Sequence, residues 1–143
     1  MADLNPTEAS VTKLSTGVST KSGTMEASTS CLPAQLILKN DAGTYILASN
    51  ATIAAADLVG NGGGMAVSIG TAGKNVDFIN KAGTEVELGI SVTENTWFAV
   101  SANAGNIAAL GDVASGKAIQ YVGYGNSSNK FVYYPIKTNT TKS

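Results

Sequence analysis

From Trp97 to Ile136 the chain alternates short apolar runs with turns of small and polar residues. Trp97–Val100 and Ile107–Leu110 flank the turn Ser101–Asn106, and Lys117–Tyr124 and Lys130–Ile136 flank Gly125–Asn129. The runs are rich in Val, Ile, Tyr and Phe, which fit a pleated, half-buried surface, and the turns carry residues that tolerate left-handed backbone or cap it locally. Within Lys117–Val122, Ala118, Gln120 and Val122 fall on one side and Lys117, Ile119 and Tyr121 on the other. That mixture suits a sheet with both faces partly covered. The same rhythm earlier in the chain predicts strands near 35–40, 44–49, 65–70, 75–79 and 84–90, with others near 96–100, 106–110, 117–124 and 130–136. Asn50–Val59 is the one short helix the pattern allows, with Asn50 as N-cap and Gly60 past its end.

The expected fold is therefore an all-β, compact sandwich or barrel-like domain of short antiparallel strands with an extended N-terminal arm. It divides into a Ser/Thr-rich arm over 1–30, a β domain over 31–137 and a polar tail over 138–143. An internal duplication is suggested by layout. Leu36–Leu47 is a hairpin like the one around Ala104-Gly105, and Gly64–Ile79 parallels Gly116–Ile136, with Lys81–Ile90 as a further hairpin between. Generic turn chemistry produces the same picture, so both readings stand.

The arm differs from the rest. Twelve of its thirty residues are Ser or Thr, and Leu4, Val11, Leu14, Val18 and Met25 are spaced too widely for a helical face or a sustained strand. Alone it buries too little apolar surface to offset its ordering entropy. Either a partner or a neighbouring subunit orders it, with those five residues as anchors, or it packs on its own sheet; the partner is the preferred reading.

At 143 residues the chain has room for one domain and a proper core. Charged residues make up 13%, about half the usual share, as in surfaces buried in large assemblies and in secreted β proteins. All nine basic residues are scattered lysines, which argues against nucleic-acid binding. Cys31 is the only cysteine and reads as a small packed hydrophobe. No apolar run is long enough for a membrane helix, and Met1–Ser10 lacks the layout of a signal peptide, so synthesis in a cytoplasm without export is expected.

Catalytic chemistry finds no foothold. Histidine is absent, removing the commonest general base and metal ligand. Gly111–Lys117 matches most of a phosphate-binding loop, but Ala118 replaces the hydroxyl residue and a strand-like run follows where a helix is needed. Glu85 and Glu87 share one strand face, the usual mark of a solvated face or guarded edge rather than of a catalytic pair. Trp97, Tyr121, Tyr124, Tyr133 and Tyr134 offer either a sugar-stacking platform or core and subunit interface. No enzyme and no cofactor or metal are expected.

The segment Asn95–Ile136 resembles the C-terminal module of tailed-bacteriophage head decoration (capsid cement) proteins. The resemblance is carried by Trp97–Val100, Asn103–Gly105, Ile107–Leu110, Gly116–Gly123 and Phe131–Ile136, and by the Ser/Thr-rich arm. It departs from that pattern where Ile119 and Gln120 follow Ala118 and where Pro135 interrupts the last strand. It implies a virion protein, made in the host cytoplasm, that binds the major capsid protein on the outer shell. Such a protein would stand as a homotrimer at three-fold and quasi-three-fold positions and hold the shell against DNA pressure. Trp97, Tyr121, Tyr124 and Tyr133 are then candidate subunit contacts. The alternatives are a tail- or fibre-associated receptor-binding module recognising glycan, and a bacterial surface or pilus-like subunit.

Overall fold

The computed structural model describes residues 3–143. The strands are β1 (Thr12–Lys13), β2 (Lys21–Thr24), β3 (Leu36–Lys39), β4 (Tyr45–Leu47), β5 (Gly64–Ala66), β6 (Asn75–Ile79), β7 (Thr84–Glu87), β8 (Trp97–Val100), β9 (Ile107–Ala109), β10 (Ala118–Gly125) and β11 (Phe131–Thr141). One short helix, α1 (Ile53–Ala56), and two 3-10 turns complete the described secondary structure. The strands form two antiparallel sheets. Sheet A has six strands in the order β1-β7-β11-β10-β8-β9, and sheet B has five in the order β2-β6-β5-β3-β4.

The sheets share one core. Leu36, Leu38, Met65 and Ile79 from sheet B meet Val86, Phe98, Val100, Ile107, Val122, Phe131 and Tyr133 from sheet A. Burying each such side chain contributes roughly 1.5–3 kcal/mol. The result is an all-β sandwich. A second, smaller cluster lies on the other side of sheet B, where Met25 and Cys31 cover Ile37, Tyr45, Ala66, Val76 and Phe78. Sheet B is thus dressed on both faces by its own chain.

The suggested duplication has a counterpart in topology. The orders β6-β5-β3-β4 and β11-β10-β8-β9 are the same path walked twice. Each begins with a hairpin, passes through a helical turn (α1 in one, Leu110–Asp112 in the other), and returns to pair beside the hairpin's first strand. The residues in equivalent places are not those the sequence layout suggests. Gly64 stands opposite Ile37 and Gly123 opposite Phe98, so Gly123 and not Gly116 matches Gly64. Gly64 abuts Phe78 on the outward side of sheet B, whereas Gly123 abuts Phe131 in the shared core. The path repeats with its facing reversed, because a one-residue slip in a strand exchanges its two faces.

Several local expectations need correction. Lys81–Ile90 is not a hairpin; only β7 is extended there, between β1 and β11, and Gly83 and Gly89 at φ +90° and +73° turn the chain at its two ends. The N-cap of α1 is Thr52, whose Oγ1 accepts from Ala55 N at 3.1 Å. Asn50 is buried instead, its N–H donating to Ser101 O and its carbonyl accepting from Ala118 N, which ties the crossover to sheet A. Residues 138–141, read as tail, continue β11, and Thr140 and Thr141 stand opposite Ile119 and Ala118.

The N-terminal segment is extended but lies along its own sheets. Leu4 N donates to Ile107 O beside β9, β1 pairs with β7, and β2 pairs with β6. Asp3 fastens its start: the carboxylate accepts from Ser101 Oγ (2.7 Å), Asn103 Nδ2 (2.8 Å) and Asn106 Nδ2 (3.1 Å). Burial opposes ionisation there, yet these three donors hold the carboxyl below its ordinary pKa.

Candidate functional site

Alternation along the strands of sheet A decides what faces outward. On β8, Phe98 and Val100 enter the shared core, so Trp97 and Ala99 face away. On β11, Phe131 and Tyr133 are inside, which turns Tyr134 and Ile136 out, 42% and 39% exposed. Strand β10 would break the pattern, because Tyr121 and Tyr124 are three residues apart. The pairing shifts register between Tyr121 and Gly123, and Val122 enters the core at that bulge. The bulge resets the phase, so both tyrosines face out.

These side chains make one surface. The Trp97 ring lies 4.9 Å from Tyr124 and 5.6 Å from Tyr121, the latter edge-on at 74°, and Tyr124 lies 6.4 Å from Tyr134. Register places Tyr124 opposite Trp97 on one side and Val132 on the other, and Tyr121 opposite Ala99 and Ile136. Between Trp97, Leu110, Tyr121 and Ile136 is an open cleft of about 170 Å³. Its walls carry no charge. Charge lies on its flanks: on β7, Lys130 Nζ pairs with Glu87 at 2.5 Å and Asn126 Nδ2 donates to Glu85 at 2.6 Å, and beside the cleft Lys142 Nζ donates to Leu110 O at 3.2 Å. Glu85 and Glu87 are thus committed to the β10–β11 turn.

Of the four aromatics expected at a subunit interface, Trp97, Tyr121 and Tyr124 sit together on this face and Tyr133 does not. Tyr133 is wholly buried in the shared core, and burial pushes its phenol pKa up. The physical reason is strand parity: Tyr133 and Tyr134 are neighbours on β11 and must point to opposite faces, so Tyr134 takes the outward place. Of the five proposed arm anchors, Val11 belongs to the shared core and Met25 to the cluster outside sheet B, so neither is free to hold a partner. Leu4 packs against the shared core. Leu14 is 38% exposed, and Val18 is half-buried with its carbonyl accepting from Lys13 Nζ.

The Gly111–Lys117 segment leaves a 3-10 turn and enters β10, with no helix behind it to receive a phosphate. Among the described residues no group of His, Cys, Asp and Glu is placed to hold a metal ion, and no helix is long and apolar enough to cross a membrane. No protein-family model, curated protein or solved structure matches the chain.

Proposed function

We propose that the protein is a structural virion component, a decoration protein on the outer surface of a phage capsid, and that the outward aromatic face of sheet A is its protein-docking surface. The observation that carries this reading is the uncovered cluster of Trp97, Tyr121, Tyr124, Tyr134 and Ile136 on a sandwich whose other outer face is covered by its own chain. Aromatic residues without interspersed charge, ringed by polar groups, have the composition of a protein interface core. The resemblance to capsid cement proteins falls on Asn95–Ile136, the segment that builds this face. A glycan platform draws on several hydrogen-bonding side chains beside its rings, and the cleft walls here supply only the Trp97 N–H and the Tyr121 hydroxyl beside Leu110 and Ile136.

Sheet edges are a poor alternative docking mode. The outermost strands β1, β2, β4 and β9 are two to four residues long, and Asp3 and Leu4 bond to β9. Short, covered edges discourage strand addition. Binding through a face suits a lattice, where copies around three-fold and quasi-three-fold positions reinforce one another and modest single contacts become tight.

Co-sedimentation with capsids that lack the protein tests the proposal. Saturable binding at a fixed ratio to the major capsid protein is expected, with at least a tenfold loss for Trp97→Ala. Failure of the wild-type chain to bind any capsid, with retention on a glycan array, would move the assignment to a receptor-binding module.

A further inference from the structure

Asn61-Gly62 is the one place in the chain where glycine follows asparagine. It lies in the loop over 60–63, which carries the crossover from α1 into β5. The loop is tied down almost residue by residue. Gly60 N donates to Asp57 Oδ1 at 2.7 Å, Asn61 N to Asp57 O at 3.2 Å and Gly63 N to Leu58 O at 2.7 Å. The Asn61 carbonyl accepts from Lys39 N at the end of β3, and its side-chain Nδ2 donates to Ala54 O in α1, both at 2.9 Å. Gly62 is the exception. It is exposed at φ +60°, a Cβ there would meet open space, and among the described residues its N–H has no hydrogen-bond partner.

A backbone nitrogen that is unbonded and uncovered by a side chain can attack the side-chain carbonyl carbon of the asparagine before it. Attack by Gly62 N on Asn61 Cγ forms the N–Cγ bond of a succinimide. The proton of the Gly62 N–H passes through solvent to Nδ2, the Cγ–Nδ2 bond breaks, and ammonia leaves. Water then opens the ring at either carbonyl, leaving aspartate or isoaspartate at position 61, so water is the only co-reactant. Glycine reaches the geometry for attack at little steric cost. Every other asparagine is followed by a residue with a side chain beside that nitrogen, and Pro6 after Asn5 has no N–H at all. The bond from Asn61 Nδ2 to Ala54 O restrains the side chain, so the reaction is paced by local opening of the loop.

We propose that Asn61 is a site of spontaneous deamidation and that its conversion unlatches the crossover loop from α1. The amide that now donates to Ala54 O becomes a carboxylate with no proton to give, and two acceptors are left facing each other. The new charge also enters the loop next to Asp57, whose carboxylate already holds Lys137 at 2.8 Å and the Gly60 N–H. In the isoaspartate product the main chain is longer by one carbon, between the bond to Lys39 N and the start of β5. The site belongs to the sheet B crossover, and it stands or falls independently of the docking role given to sheet A.

Ageing the full chain in mildly alkaline buffer, followed by peptide mass spectrometry and enzymatic labelling of isoaspartate, tests this. Asn61 should convert ahead of every other asparagine. Gly62→Ala should slow the conversion roughly tenfold, because a Cβ covers the nitrogen and alanine lacks glycine's backbone freedom; circular dichroism checks that this variant folds. Asn61→Asp makes one product directly, and should lower the thermal midpoint by about 2–4 °C, as loss of one hydrogen bond does in a chain of this size. The aged wild type should show a fraction melting at least as early. Survival of Asn61 while other asparagines convert, or an unchanged rate in Gly62→Ala, would overturn the site. An Asn61→Asp chain that melts with the wild type would overturn the unlatching.

Discussion

Gly123 lies directly against Phe131 in the shared core, and a Cβ on the glycine would stand 2.7 Å from the ring Cζ. The same distance separates a Cβ on Gly64 from Phe78 Cδ2 in sheet B. In both sheets the returning strand passes so close to its neighbour that only hydrogen fits on its Cα. Gly123→Ala and Gly64→Ala should each destabilise the domain by about 1–3 kcal/mol, the usual cost of overpacking. Urea denaturation checks this, and a loss below 0.5 kcal/mol in both would mean that the strands yield easily (on the order of a neutral surface change).

Tyr133 makes an opposite prediction. Its hydroxyl is buried without a hydrogen-bond partner, an arrangement that costs about 1–3 kcal/mol. Tyr133→Phe should leave stability unchanged or raise it by up to about 1 kcal/mol. A clear loss in thermal denaturation would show that the hydroxyl is bonded, for example to a trapped water.

Met25 decides what the N-terminal segment is for. The side chain is 1% exposed, with its sulfur 3.9 Å from Cys31 Sγ. Met25→Ala should cost about 2–5 kcal/mol. Deleting residues 2–30 should abolish cooperative unfolding rather than leave a folded domain, since it strips β1, β2, Val11 and Met25 together. A sharp, native-like transition in the truncated chain would contradict this.

Acid should loosen the Asp3 clasp. Its folded pKa lies below the ordinary carboxylate value, so its contribution is present above the unfolded pKa and disappears as pH falls through the folded one. Asp57 behaves alike: burial raises its pKa, but Lys137 at 2.8 Å and the Gly60 N–H lower it further. Stability measured downward from neutral pH should therefore fall through the carboxylate range, less steeply in Asp3→Asn. An identical slope in that variant would show that Asp3 contributes nothing to the titration.

Much of the sheet content was legible because small polar turns interrupt apolar runs, as around Asn126–Asn129. The outward face was only half legible. Trp97 and Tyr121 follow from alternation, but Tyr124 joins them only through the bulge at Val122, and a bulge has no reliable sequence mark. Choosing Tyr133 over Tyr134 required the strand's phase, which the core sets and composition does not. The N-terminal segment looked unable to order itself because its partners are distant in sequence: Asp3 meets Ser101 98 residues on, and Ser22 meets Asp77 55 residues on. Spacing within thirty residues cannot show contacts that span the whole chain.

Those long spans set the order of events at synthesis. The strands β1 and β2 are among the last to find their places, because their partners β6 and β7 emerge long after them, as β9 does after Asp3. A nascent chain halted before Ile107 has no seat for Leu4 and no anchor for Asp3. Closure of the sandwich waits on these pairings, slow as non-local ones are, and admits to the folded pool only chains in which β1 and β2 have met β7 and β6.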